Sequence, residues 1–247
     1  MSKYKIDMHT HTVSSGHAYS TISENARYAA SIGIEYLGMT DHAPNMPGSC
    51  GALHFLNLKV VPEYIEGVRI FRGIELNIMD YEGKLDKSIR KKIIKNLDIA
   101  IASLHLPCIK PGTEEENTAA LVNTMNNPFI NIIGHPGDPR YPVNIRKVVS
   151  IARDTQTLLE LNNSSFNPDN GRSGGEAAAI DILKECKRQD MPVILGSDSH
   201  YHTYIGNFER CEKLLNEAEF PDELVINYST KQFDDFVRYK KERSREL

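Results

Sequence analysis

Short apolar runs alternate with longer stretches of helical period along the whole chain. The runs at 4–8, 36–40, 69–76, 97–104, 130–134, 157–162 and 193–196 read as strands. Stretches 22–32, 88–95, 114–126, 145–154, 176–189 and 207–219 carry helical spacing. A short run at 223–228 precedes a charged terminal helix at 231–245, in whose solvated charges we read no function. Helix starts carry caps, Thr113 with Glu116 and Ser20 before Glu24. Helix ends fit Gly33 and Asn127, the latter followed by Pro128. Strand, helix, strand repeated implies parallel pairing with right-handed crossovers. With no repeat, low-complexity tract or long linker, residues 1–247 read as a single domain. Two Gly-, Pro- and Asn-rich stretches, 43–59 and 163–175, follow strands and read as functional loops.

Bulk properties narrow the classes. A chain of 247 residues with 40% hydrophobic and 25% charged content suits one large α/β domain. The formal net charge of −4 offers no global field for nucleic acid. Cys50, Cys108, Cys186 and Cys211 are widely spaced and form no CxxC pair, so they read as reduced thiols. The chain opens directly on a strand and a histidine phrase, which leaves no room for a signal peptide, and no apolar stretch reaches membrane-spanning length. The expectation is a cytoplasmic protein with neither nucleic acid nor membrane as partner.

The chemistry lies in the histidines. Seven of nine, His9, His11, His17, His42, His105, His135 and His200, stand at or just past the ends of expected strands. Glu75 and Asp198 accompany them, in the phrases DMHTH, MTDH, RGIEL, ASLH, IGHP and GSDSH. Imidazole with carboxylate is the donor set of zinc, manganese and iron. This many donors exceeds one ion's coordination number, so several ions are expected. His9 and His11 are two apart on a strand, and alternation puts both on one face; Asp198 and His200 repeat the spacing. Asp7 shares parity with His9 and is expected to orient it. Six of the seven strands deliver donors at their C-terminal ends. Only a closed barrel aims so many strand ends at one place, whereas an open sheet would spread them along a line.

The ordered donors resemble the PHP (polymerase and histidinol phosphatase) family of metal-dependent phosphoesterases. The phrases TDHAPNMP, HFLNLK, RGIELNI, IIGHPGDPRYP, LELNNSSF and GSDSH are similar to its YcdX-type phosphatase branch. The resemblance covers nearly the whole chain and implies a distorted (β/α)7 TIM-like barrel with a trinuclear metal centre. It implies one ion at His9, His11, Glu75 and Asp198, a second at His17, His42 and His200, and a third at Glu75, His105 and His135, with Glu75 bridging. Seven neutral imidazoles and two carboxylates bring about −2 against about +6 for three divalent ions, an excess that favours an anionic substrate. The expected reaction is hydrolysis of a small phosphorylated metabolite, a phosphomonoester, by a metal-bridging hydroxide. Zinc is the first expectation for the ions, with manganese or iron as alternatives; homo-oligomerisation is left open.

Other residues divide between functional and ordinary readings. His54 in the first loop is weighed evenly between a leaving-group or substrate contact and packing beside Phe55. Arg172 is favoured as a phosphate clamp and Arg140 somewhat less so, because guanidinium grips oxyanions bidentately. Asn163, Ser164 and Ser165 fit a site lining nearly as well as a soluble loop. Glu160 reads as a satisfied polar group of the barrel, His202 as a surface residue and Cys50 as inert. Competing functions are a histidinol-phosphate phosphatase, a nuclease or proofreading module, a non-catalytic metal sensor or store, and an amidohydrolase. The charge and length argue against the nuclease, and Glu75 in place of a bridging lysine argues against the amidohydrolase.

Overall fold

The computed structural model describes residues 3–168, 172 and 174–244. Residues 169–171 and 173 of the second expected loop, and Arg245 of the expected terminal helix, lie outside the described residues. The strands are β1 (Ile6–Asp7), β2 (Tyr36–Met39), β3 (Tyr64–Ile65), β4 (Val68–Asn77), β5 (Ile99–Ser103), β6 (Ile132–Ile133), β7 (Leu158–Asn162) and β8 (Val193–Gly196). Seven of them form one parallel wall in the order β1-β2-β4-β5-β6-β7-β8. The eighth, β3, is a short antiparallel hairpin partner of β4 outside that path. The helices are α1 (Ile22–Ile32), α2 (Ala52–Asn57), α3 (Lys91–Ile94), α4 (Glu114–Met125), α5 (Ile145–Thr155), α6 (Gly175–Arg188), α7 (Glu209–Glu217) and α8 (Thr230–Arg243). None of the described helices is long and apolar enough to cross a membrane.

The wall closes nearly into a barrel. At the C-terminal end of the seam, Thr10 and Ser199 pair as a parallel bridge. There the His11 N–H donates to Ser199 O at 2.9 Å and the Ser199 N–H to His9 O at 3.4 Å. Lower down, a side chain stands in for a strand. Asn227 accepts from Leu195 N at 2.7 Å and donates to Ile6 O at 2.8 Å and Leu195 O at 2.9 Å. Its amide thereby acts as one extra peptide unit between β8 and the two-residue β1.

Inside the barrel, Ile6, Phe71, Ile99, Ile101, Ile132, Leu158 and Ile194 pack together, and α8 closes the floor with Phe233. Stepping up by an even number of residues, four, two and four, reaches Glu75 from Phe71, Glu160 from Leu158 and Asp198 from Ile194. A polar layer therefore sits on the apolar one at the C-terminal end. Gly196 belongs to the fit: a Cβ there would lie 1.8 Å from Glu160 Oε1.

Local expectations meet five corrections. The first loop, 43–59, contains α2 and the 3-10 turn Leu58–Val60. The expected helix at 88–95 shrinks to α3, and the run at 223–228 is a pair of 3-10 turns. The capping box of α1 uses Thr21 with Glu24, whereas Ser20 bonds His202; the Thr113–Glu116 box of α4 stands as expected. The α4 cap is Asn126, one residue before the expected Asn127.

Candidate metal centre

Glu75, completely buried on β4, stands at the middle of the nine expected donors. Its Oε1 lies 3.4 Å from His9 Nε2, 3.1 Å from His105 Nε2 and 3.4 Å from His135 Nε2. Its Oε2 lies 2.5 Å from His42 Nδ1 and 3.7 Å from His11 Nε2. Asp198 Oδ1 makes a second focus, 3.2 Å from His11 Nε2 and 3.6 Å from His9 Nε2. The His17 ring stacks at 4.9 Å from His42 and lies 4.8 Å from His200. Three overlapping triads have donor atoms within 4.8 Å of one another: His9, His11 and Asp198; His11, His42 and His200; His42, Glu75 and His105.

The strand ends place these groups. His42 bridges the main chain of Glu75, tying the end of β2 to β4. The turn at Val13–Ser15, capped by Thr12 and ended by Gly16, swings His17 back over the mouth. His135 and Asp198 take left-handed backbone, φ 32 and φ 52, which non-glycine residues rarely adopt. Such strain costs roughly 1–3 kcal/mol each and persists where surrounding contacts enforce it. β7 supplies no donor to the triads, but its Glu160 and Asn162 reach into the polar layer.

A second ring of contacts fixes which nitrogen faces inward. Ser15 gives its hydroxyl proton to Asp41 Oδ1 at 2.7 Å, so its oxygen accepts from His11 Nδ1 at 3.0 Å. Asn77 gives its amide to Asp86 Oδ1 at 3.0 Å, so its Oδ1 accepts from His105 Nδ1 at 2.7 Å. His9 Nδ1 donates to Glu160 Oε1 at 2.6 Å, and His200 Nδ1 to Asp198 O at 2.9 Å. These assignments follow from the hydrogen-bond network and leave Nε2 of each of the four rings with its lone pair. Asp7 is a correction. Its carboxylate accepts from the amides of His9, Ser197 and Gly206 and does not touch the His9 ring. Regular strand pairing in β1 stops at Asp7, so parity does not carry across to His9.

Five buried atoms, His9 Nε2, His11 Nε2, His42 Nδ1, His105 Nε2 and Glu75 Oε2, crowd one another at this centre, as close as 2.5 Å for His42 Nδ1 and Glu75 Oε2, yet none makes a hydrogen bond of good geometry. Buried polar atoms are seldom left so, and this many together match donors for cations. The titration directions agree for His105, His11 and Glu75, whereas at His9 burial is outweighed by Glu160, Glu75 and Asp198, which hold the ring well above its ordinary value. Burial pushes His105 down to about 4, keeping it neutral. Burial also holds His11 well below its ordinary range, helped by the neighbouring His42 and His200. Burial would raise Glu75, but His105, His42 and His9 outweigh it and hold the carboxylate well below its ordinary value.

A basin of about 920 Å³ opens above the donors. Arg172 enters it: Nη1 donates to Ser165 Oγ at 3.0 Å and lies 3.5 Å from Asp198 Oδ2, and Nη2 approaches His135 Nε2 at 3.5 Å. Arg140 also lines it, gripped by Asp138. Asn163 and Ser164 line the wall, and Asn163 Oδ1 accepts the first amides of α7 from Arg210 and Cys211. Ser165 is buried and held by Asn162. His54 turns elsewhere, with Nε2 3.3 Å from Asp41 Oδ2 and its ring edge-on to Phe55. Bonds from His54, Ser15 and the Thr12 amide override burial and push Asp41 down to about 2. His202 is half-buried against Tyr28 and bonded to Ser20. Burial raises the Cys50 thiol to about 11.

Sequence reasoning missed the orienting roles of Ser15, Asp41, Asn77 and Glu160, and it missed Arg210 on the basin wall. Glu160 had a signal, since it sits two residues from both Leu158 and Asn162 on one strand.

The PHP domain model matches residues 7–164. The chain belongs to the PHP family. Within it, a probable phosphatase of Clostridium novyi is 48% identical, over 96% of this chain and 96% of that one. A probable phosphatase of Acetivibrio thermocellus is 45% identical, over 98% of this chain and 99% of that one. The histidinol phosphate phosphatase of Lactococcus lactis, solved with zinc, L-histidinol and phosphate, has TM-score 0.62 at 20% identity. It covers 88% of this chain and 95% of that one, and the likeness is one of fold.

Proposed function

We propose that this PHP protein is a metal-dependent phosphatase acting on a small phosphomonoester, with a donor set for three divalent ions, zinc first. The carrying observation is the set of five inward-facing buried atoms around Glu75 that crowd together without a well-formed hydrogen bond. His9, His11, Glu75 and Asp198 would hold one ion, His17, His42 and His200 a second, and His105, His135 and Glu75 a third. Divalent ions, when bound, supply Lewis acidity towards phosphoryl oxygens and lower the pKa of water. Glu75 joins two of the sets, since its Oε1 lies beside His105 and His135 while its Oε2 is directed towards His11. Arg172 is the phosphate clamp, because its guanidinium lies beside both Asp198 and His135. The relatives named probable phosphatases, and the phosphate and zinc in the Lactococcus lactis structure, support the same reading.

The test is phosphate release from p-nitrophenyl phosphate, with metal content measured alongside. Chelation is expected to remove the ions and abolish release, and reloading with zinc or manganese to restore both. A protein that holds its ions at full occupancy yet releases no phosphate from any ester would instead be a metal store or sensor.

A further inference from the structure

The basin carries guanidinium groups beyond the one that lies beside the metal donors. Arg172, Arg140 and Arg210 all line it. Arg172 is deepest, 3.5 Å from Asp198 Oδ2 and so beside the metal donors. Arg140 is aimed by Asp138, which accepts Nε at 2.9 Å and Nη2 at 2.6 Å, leaving Nη1 for another partner. Arg210, the second residue of α7, has no side-chain hydrogen bond or ion pair among the described residues. Its acidic neighbour Glu209 pairs with Lys213 at 3.1 Å. Asp138, shared between Arg140 and Arg172, and Asp198, beside Arg172, are the counter-charges of those two groups and are not paired with Arg210. Guanidinium groups around a concave site attract and orient anions. A basin of about 920 Å³ is also far larger than a phosphate group and falls within the size of pockets for whole metabolites.

We propose that the substrate is a phosphomonoester bearing a second anionic group, with the phosphate at the metal donors and Arg172 and the second anion at Arg140 and Arg210. This deepens the phosphatase reading above and rests on it. A carboxylate and a second phosphate offer the same chemistry to guanidinium. A cationic leaving group, such as the L-histidinol bound by the Lactococcus lactis relative, would meet like charge at this wall.

The test compares kcat/KM of the metal-loaded protein on matched esters. 3-Phosphoglycerate against glycerol 3-phosphate probes a carboxylate; adenosine 3′,5′-bisphosphate against adenosine 3′-monophosphate probes a second phosphate. L-Histidinol phosphate is the cationic comparison. At least one pair should favour its more anionic member by tenfold or more, and L-histidinol phosphate should be poorer still. Arg210→Glu should cut that preference at least tenfold, and Arg210→Lys should keep most of it. Metal content and Tm of both variants report that the fold is retained. Brisk turnover with equal kcat/KM within both pairs would overturn the second-anion site and leave the phosphatase reading standing. So would a preference unchanged in Arg210→Glu, or L-histidinol phosphate as the best ester. No turnover of any ester by fully metal-loaded protein would overturn both.

Discussion

Ser15 has no charge to offer an ion, yet it holds two neighbours of the centre in place. Its oxygen accepts from His11 Nδ1 and from the His42 amide, while its proton goes to Asp41. Removing the hydroxyl frees the His11 ring to turn and to change tautomer. We predict that Ser15→Ala weakens metal binding by roughly 10–100-fold, read by competition with a chromophoric chelator, since outer contacts of metal ligands have effects of that order. Wild-type affinity in that variant would remove Ser15 from the positioning set. Glu160→Gln should do likewise through His9, whose Nδ1 it accepts. The donors themselves could be read from the sequence because imidazoles at the ends of apolar runs form an unusual pattern. Their supports could not: a serine or an asparagine acquires its role only from a neighbour distant in sequence, as Asn77 does from His105. Asp7 misled for a physical reason, because alternation is a rule of paired strands and β1 ends at that residue.

Elements were legible where an apolar face recurs at a clear period, and less so where tertiary contacts shape a short segment. The long helices α1 and α4 lie close to the expected spans, each with a reciprocal cap. The six-residue α2 lies in a stretch whose Gly, Pro and Asn content reads as loop. The side-chain strand made by Asn227 has no sequence signature, as one amide replaces what a longer β1 would do. Asn227→Ala should therefore destabilise the protein by roughly 2–4 kcal/mol in urea denaturation, having left buried groups on β1 and β8 unpaired. A loss below about 0.5 kcal/mol, the scale of a surface substitution, would refute the splice. On α8, Lys240 is 2% exposed, with only long contacts to Thr155 O at 3.4 Å and Thr157 Oγ1 at 3.3 Å. Burial, with Arg243 adding, pushes its ammonium down to about 7 from 10.5. The unfolded chain holds that proton to higher pH than the folded one, so unfolding takes up a proton between these values. Stability from this group thus rises as pH climbs from about 7 towards 10.5 and is absent below. Relative to Lys240→Met, the wild type should gain roughly 2–3 kcal/mol between pH 7 and 9.5. Parallel stability curves for the two proteins would show that the lysine keeps its charge in the fold.

For the whole molecule, barrel closure was legible from chemistry more than from strand pattern, because donors from six strands must meet. The size and charge of the basin were not, since they depend on α7 bringing Arg210 to the same basin as Arg140 and Arg172. Buried donors that gain ions only in the folded state link metal to global stability. Stripping the ions should lower Tm by roughly 10 °C, as one ion at a thousandfold its Kd contributes about 4 kcal/mol. An unchanged Tm in metal-free protein would mean that the donors are indifferent to the ions. The seam gives this linkage a direction along the chain. His9 and His11 flank Thr10, Asp198 and His200 flank Ser199, and Thr10 and Ser199 are the residues that bridge. A ribosome-bound chain that has not yet released residue 198 lacks one of the donors in the His9, His11 and Asp198 triad, however well its first strands are formed. Capture of an ion there would thus be a late event of biogenesis, a latch that engages when the two ends of the wall meet and thereafter resists their parting. Amide hydrogen exchange at His11 and Ser199 should slow on metal loading more than exchange elsewhere in the barrel.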